Sequence, residues 1–164
     1  MNKETKKIIG VISIIFLIIV LIILCLVVLL LWYDKSAREK RDKQINLEVK
    51  RITELVKTNE SVLEDLCVYE LSNKKNNSSG DRNIVKEEGE FQEGRDLLFK
   101  EMGFNDGKVY KNTNDRYILF NSTYLDTMIV LEYYEDSDVI SSDYIYITDR
   151  FYIATYDLGH TYGG

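Results

Sequence analysis

Two segments in the second half of the chain decide the fold: residues 116–122, RYILFNS, and residues 127–135, TMIVLEYYE. Both are rich in β-branched and aromatic residues, which favour extended strands. Three further segments share this composition and are separated by Asn, Asp and Ser: KVYKN at 108–112, DYIYIT at 143–148 and FYIATYDL at 151–158. Because parallel neighbours need long crossovers and these connections are short, we predict an antiparallel meander of four to five strands.

One pairing register of the last two predicted strands places tyrosines on one face and aliphatic or phenylalanine residues on the other. If residues 148–150 form a three-residue loop, position 146 lies opposite position 152. One face then carries Tyr144, Tyr146, Tyr152 and Tyr156, and the other carries Ile145, Ile147, Phe151 and Ile153. Tyrosine tolerates partial burial and is enriched at binding surfaces, so we predict an interaction surface on the tyrosine face. The alternative is an ordinary solvent-facing sheet in which tyrosines are cross-strand partners.

Helical segments precede the strands. Residues 91–103, FQEGRDLLFKEMG, predict a short amphipathic helix with Phe91, Leu98 and Met102 on one face and Gly103 as its C-terminal cap. Residues 71–90 contain a cluster of Asn, Ser and Gly and predict a mobile loop. Helices followed by a sheet indicate an α+β fold for a small acidic domain at 59–164.

An apolar stripe with heptad-like spacing runs through residues 45–66. Its members are Ile45, Val49, Ile52, Val56, Asn59, Leu63 and Leu66. As a coiled coil, this stripe would support a homo-oligomer, with Asn59 fixing the register. Alternatively, the stripe packs on the sheet of its own chain. We interpret residues 34–58 as a charged helical stalk with possible self-association over 45–58, and residues 59–71 as core.

Residues 8–33, IIGVISIIFLIIVLIILCLVVLLLWY, contain no charge. A helix of this length spans about 39 Å, which exceeds a hydrocarbon core of about 30 Å. The run therefore predicts one transmembrane helix, following a basic tail at 1–7. The residues expected at the two membrane interfaces are Lys6, Lys7, Trp32, Tyr33, Lys35 and Arg38.

The run is too long for a cleaved signal peptide, whose apolar stretch has about 7–15 residues, so we expect it to be retained as a signal-anchor. Orientation has two opposing indicators. Five basic residues at 34–48 outnumber the three lysines of the N-terminal flank, which favours a cytoplasmic domain. A short basic tail before an apolar run is, however, the usual start of a signal-anchor. We predict a cell-membrane protein whose C-terminal domain is extracytoplasmic.

Composition excludes several classes of protein. Residues 34–164 carry 18 basic and 26 acidic side chains. The resulting negative charge disfavours binding to the phosphates of nucleic acid. Two cysteines, one of them inside the apolar run, exclude a disulfide framework and a cysteine-based zinc site. We predict no metal, no cofactor and no catalytic residue, with Cys67 a small buried hydrophobe and His160 the only histidine. The expected role is contact with a protein partner, and the enzyme alternative is a membrane-tethered hydrolase.

The order of elements also resembles that of type IV pilins and pseudopilins, in which a long N-terminal helix, half in the membrane, precedes a loop and an antiparallel sheet. Lys6, Lys7 and Gly10 are similar to the end of a pilin leader peptide. Val11 and Ile15 stand where pilins usually carry an aromatic residue and Glu. The resemblance implies an assembly subunit as a further alternative.

Overall fold

A computed structural model describes residues 3–72, 82–84, 90–111, 116–135 and 144–158, and the side chains of the first helix from residue 14 onward. Helix α1 is Lys3–Thr58 and contains the apolar run. Within the described residues, it is the one helix long and apolar enough to cross a membrane, and none of its apolar window is buried in the protein. A single candidate membrane anchor near the N-terminus is therefore present, as the sequence predicts.

The later part of the chain, Gln44–Gly164, forms a separate compact unit. Its first helical residues belong to α1, and four members of the predicted stripe, Ile45, Val49, Ile52 and Val56, are buried in the core of this unit. The structure thus places the stripe in the fold of its own chain, the second of the two interpretations above. Over residues 45–56 the apolar side chains therefore pack within this unit, and association through 45–66 stays a prediction.

Asn59 separates α1 from helix α2, Glu60–Ser72. Its side-chain amide donates a hydrogen bond to the Leu55 carbonyl at 2.9 Å, and that carbonyl also accepts from the Asn59 backbone N–H at 3.1 Å. Leu63, Leu66, Cys67 and Leu71 of α2 are all buried. Asn59 therefore lies at the junction of two helices whose apolar side chains are buried in one core, and its role in a coiled coil stays a prediction.

The predicted helix at 91–103 consists of α3, Gln92–Asp96, followed by a π-helical turn, Leu97–Glu101. Gly103 has φ +80°, and the Phe104 amide donates to the Leu98 carbonyl at 3.0 Å, which confirms the glycine cap. Leu98 and Met102 are buried as predicted, but Phe91 is 40% exposed and has φ 63°. Phe91 precedes the helix in a left-handed conformation, so its ring packs on Tyr69 instead of joining the core face.

Among the described residues, the sheet has six antiparallel strands, which confirms the α+β class. They are β1 Arg82–Asn83, β2 Asp106–Lys111, β3 Arg116–Tyr124, β4 Thr127–Tyr134, β5 Ile145–Tyr146 and β6 Phe151–Asp157. The order across the sheet is β1-β2-β3-β4-β6-β5, so the last two strands depart from a meander. β6 pairs with β4 over seven residues, whereas the two-residue β5 lies at the edge. Strand β1 falls inside the predicted loop at 71–90, and the loop's residues 73–81 and 85–89 lie outside the described residues.

Alternation along the strands gives the sheet a core face and an outer face. The core face carries Val109, Ile118, Phe120, Ile129, Leu131, Tyr133, Phe151 and Ile153, all at most 1% exposed. Gly107 lies on the same face, where a Cβ would approach the Phe120 ring at 2.8 Å. Ile147 is buried as predicted, whereas Ile145 is 49% exposed because it lies on the edge strand.

Arginines join the helices to the rest of this unit. Arg51 donates to the carbonyls of Glu101 at 2.8 Å and Met102 at 3.1 Å, at the end of the π-helical turn. Arg95 forms an ion pair with Glu70, and both side chains are almost fully buried. Polar groups at these sites are satisfied inside the protein, so these contacts fix how α1, α2 and α3 pack.

Candidate interaction surface

The outer face carries a continuous group of aromatic rings, here named the tyrosine surface. Its members are Tyr110, Tyr117, Tyr134, Tyr144, Tyr146, Tyr152 and Tyr156. Tyr146 lies directly opposite Tyr152, which is the register that the three-residue loop predicts. The rings of Tyr144 and Tyr146 lie 6.3 Å and 5.8 Å from the ring of Tyr152. The predicted tyrosines therefore share one face.

Three tyrosines that the sequence analysis did not select extend this surface across the sheet. Tyr110 stacks on Tyr117 with ring centroids 4.9 Å apart, and Tyr117 stacks on Tyr134 at 5.5 Å. Tyr134 then meets the Tyr152 ring edge-on at 5.7 Å. Alternation along each strand assigns residues 110, 117 and 134 to a face of the sheet. It predicts that the three share one face only when the pairing of β2, β3 and β4 is known. Contacts of this geometry stabilise each ring against its neighbour.

Exposure differs sharply along the tyrosine surface. Tyr146 is 59% exposed and Tyr156 is 45% exposed, while Tyr152 is 7% exposed. The hydroxyl of Tyr146 donates to an Asp149 carboxylate oxygen at 2.5 Å. Tyr152 thus belongs to the packed middle of the surface, and the most exposed rings are those of Tyr146 and Tyr156.

An acidic side chain lies among the rings. Glu132 is on β4 directly opposite Tyr152, and it is only 4% exposed. The Tyr134 hydroxyl donates to Glu132 Oε2 at 2.6 Å. Burial raises the pKa of Tyr134 above its usual range, and the hydrogen bond to Glu132 raises it further. Burial also raises the pKa of Tyr144 to about 12, with the Glu132 charge as the second cause.

The predicted membrane-interface residues are distributed along α1. Trp32 and Tyr33 are 68% and 71% exposed on α1, and their place at a membrane interface stays a prediction. Lys35 approaches Glu39 at 3.9 Å, and Arg38 pairs with Asp34 at 2.9 Å, one helical turn away in each case. The side chains of Lys6 and Lys7 lie outside the described residues.

Cys67 is a free, fully buried cysteine on α2. Burial raises the pKa of its thiol well above the usual value, and the charges of Glu70 and Glu64 raise it further. A thiol in this state is a protonated core side chain, because the reactive form is the thiolate. His160 lies outside the described residues. Within the described ranges, there is no group of three or more His, Cys, Asp or Glu side chains that could hold a metal ion.

Comparison with protein-family models, with curated proteins and with solved structures gave no match to this chain.

Proposed function

We propose that this chain is a single-pass membrane protein that binds another protein through the exposed end of the tyrosine surface. The observation that carries the proposal is the exposure of Tyr146 and Tyr156 on a face whose other rings hold each other in place. Exposed, pre-ordered tyrosines bury large apolar area at low cost in side-chain entropy. The candidate anchor at the N-terminus would attach the domain to a membrane.

A photo-crosslinking amino acid at position 146 of the full chain tests this proposal in living cells. We expect a discrete adduct with one protein, because position 146 would be covered by the partner. The same substitution at Lys100, whose side chain is 70% exposed on the π-helical turn, is the matched control and should give no such adduct. Equal adducts at both positions, or none at position 146, would contradict the proposal.

We also propose that α1 acts as a signal-anchor and that the domain lies outside the cytoplasm. The short basic tail before the apolar run supports this orientation, although the positive-inside count alone favours the reverse. A protease added to intact cells should remove a tag fused to the C-terminus. If the tag is cut only after lysis, the domain is cytoplasmic and the partner must be sought there.

A further inference from the structure

Glu132 is a buried carboxylate in an unusual setting. The other strongly buried acid with a described partner, Glu70, forms an ion pair with Arg95. Among the residues that the structure describes, no Lys or Arg pairs with Glu132, and its hydrogen bond comes from the neutral Tyr134 hydroxyl. Buried charges in proteins are generally paired, because leaving water without a counter-charge is costly. A cation from a binding partner could therefore supply the counter-charge that Glu132 does not receive from a described Lys or Arg.

The rings around Glu132 suit the same kind of ligand. Tyr134 and Tyr152 meet edge-on with an interplanar angle of 83°, and Tyr144 meets Tyr152 at 65°. Rings inclined in this way present π faces in more than one direction, and π faces attract Lys and Arg cations. Tyr134 and Tyr144 are partly exposed, so a partner can reach part of two rings that neighbour the buried acid.

Long-range charge favours the same partner. Residues 34–164 carry 18 basic and 26 acidic side chains, a balance of −8. A field of this sign attracts basic protein segments and speeds their encounter. The local acid and the net charge of the domain thus act in the same direction.

We propose that the tyrosine surface recognises a basic side chain, Lys or Arg, of its protein partner, which packs against Tyr134, Tyr144 and Tyr152 and pairs with Glu132. This inference rests on the proposed function, and it adds the chemistry of the partner. Tyr146 and Tyr156 then supply apolar contact at the exposed end, while Glu132 supplies selectivity for positive charge.

The test uses the full chain in nanodiscs of zwitterionic phosphatidylcholine, with acetylated hexalysine and hexaarginine peptides as probes. Titration should shift the ring signals of Tyr134, Tyr144 and Tyr152 in spectra of ring-labelled tyrosine, and leave Tyr69 on α2 unshifted. Glu132→Gln keeps the size and an acceptor oxygen but removes the charge, and it should weaken peptide binding at least about tenfold. Glu54→Gln removes the same charge from an exposed position of α1 and should change the affinity less than about twofold.

Equal weakening by Glu132→Gln and Glu54→Gln would overturn the inference, because binding would then follow net charge alone. Peptides that leave the rings of wild-type Tyr134, Tyr144 and Tyr152 unshifted would overturn it as well, and that measurement does not depend on how the variants fold. A crosslinked adduct at position 146 together with either result would reject only the basic-residue inference. Absence of the adduct would reject the proposed function itself.

Discussion

The two faces of the sheet are built from the same strands but use opposite chemistry. The core face holds aliphatic and phenylalanine side chains and one tyrosine, Tyr133, all nearly fully buried. The outer face holds seven tyrosines and Glu132, buried in the middle and exposed at Tyr146 and Tyr156. Because neighbouring residues point to opposite sides, one strand can supply stability and surface chemistry together. Substitutions two positions apart on one strand therefore test the same face of the sheet. Substitutions at adjacent positions test the core on one side and the surface on the other.

The largest loss of stability is expected at the ion pair in the helical layer that covers the core face. Arg95→Met removes the guanidinium that pairs with the buried Glu70 carboxylate, and we expect it to lower the free energy of unfolding by about 3–5 kcal/mol. Urea denaturation monitored by circular dichroism measures the change. The double variant Glu70→Met, Arg95→Met removes both charges and should recover much of the loss.

A matched control for that pair is Lys100→Met, which removes the exposed partner of Asp96. Exposed pairs contribute little, so the expected change is within about 0.5 kcal/mol. Similar losses for Arg95→Met and Lys100→Met would show that burial does not decide the strength of these pairs.

The next effect is expected at Gly107, on the core face of β2. An added Cβ would meet the Phe120 ring at 2.8 Å, so Gly107→Ala forces a ring in the packed core to shift. We expect a loss of about 1–3 kcal/mol. Combining it with Phe120→Leu should cost less than the sum of the two single changes, since the smaller side chain admits the methyl group. Strict additivity in thermal or urea unfolding would exclude this steric explanation.

On the outer face, stability should depend on alkaline pH. The folded-state pKa of Tyr144 is about 12, above the ordinary value of about 10 for tyrosine. The folded chain therefore holds this proton where the unfolded chain has lost it. The contribution is complete below pH 10 and falls as the pH rises toward 12. Tyr144→Phe should flatten the fall in melting temperature between pH 10 and 12, and an unchanged slope would contradict the pKa assignment.

The smallest change in stability is expected at the exposed end of the tyrosine surface. Replacing Tyr146 and Tyr156 by Ser removes rings that are 59% and 45% exposed, so the free energy of unfolding should change by about 0.5 kcal/mol or less per site. Tyr152→Ser, in the packed middle, should cost about 2 kcal/mol or more. If the exposed and the buried tyrosines cost the same, the surface is core throughout and cannot serve as a docking site.

Local patterns predicted most of the elements. The apolar run indicated the candidate anchor, β-branched and aromatic runs indicated the four longer strands and β5, and the three-residue loop correctly paired Tyr146 with Tyr152. Gly103 was identified as a cap because a left-handed residue after a helix is commonly glycine. Each of these features depends on a few neighbouring residues, so a short stretch of sequence is enough to predict it.

Features that depend on distant residues were missed. The stripe at 45–56 fits a coiled coil and a core helix equally well, and only the buried sheet decides between them. The place of β6 beside β4 follows from its longer pairing, which competes with the nearer but shorter β5. Tyr110, Tyr117 and Tyr134 join the surface through cross-strand stacking, and Glu132 is buried among rings from other strands. None of these arrangements leaves a local pattern.

The position of β6 within the sheet also sets the order of events during synthesis. Ile52 of α1 and Ile153 of β6 belong to one core, although about 100 residues separate them. At roughly 5–20 residues per second, the ribosome needs on the order of 5–20 s to add the second after the first. Throughout that time the apolar stripe of residues 45–56 lacks the strand that completes its core. Folding of this core therefore cannot be completed before β6 has been synthesised.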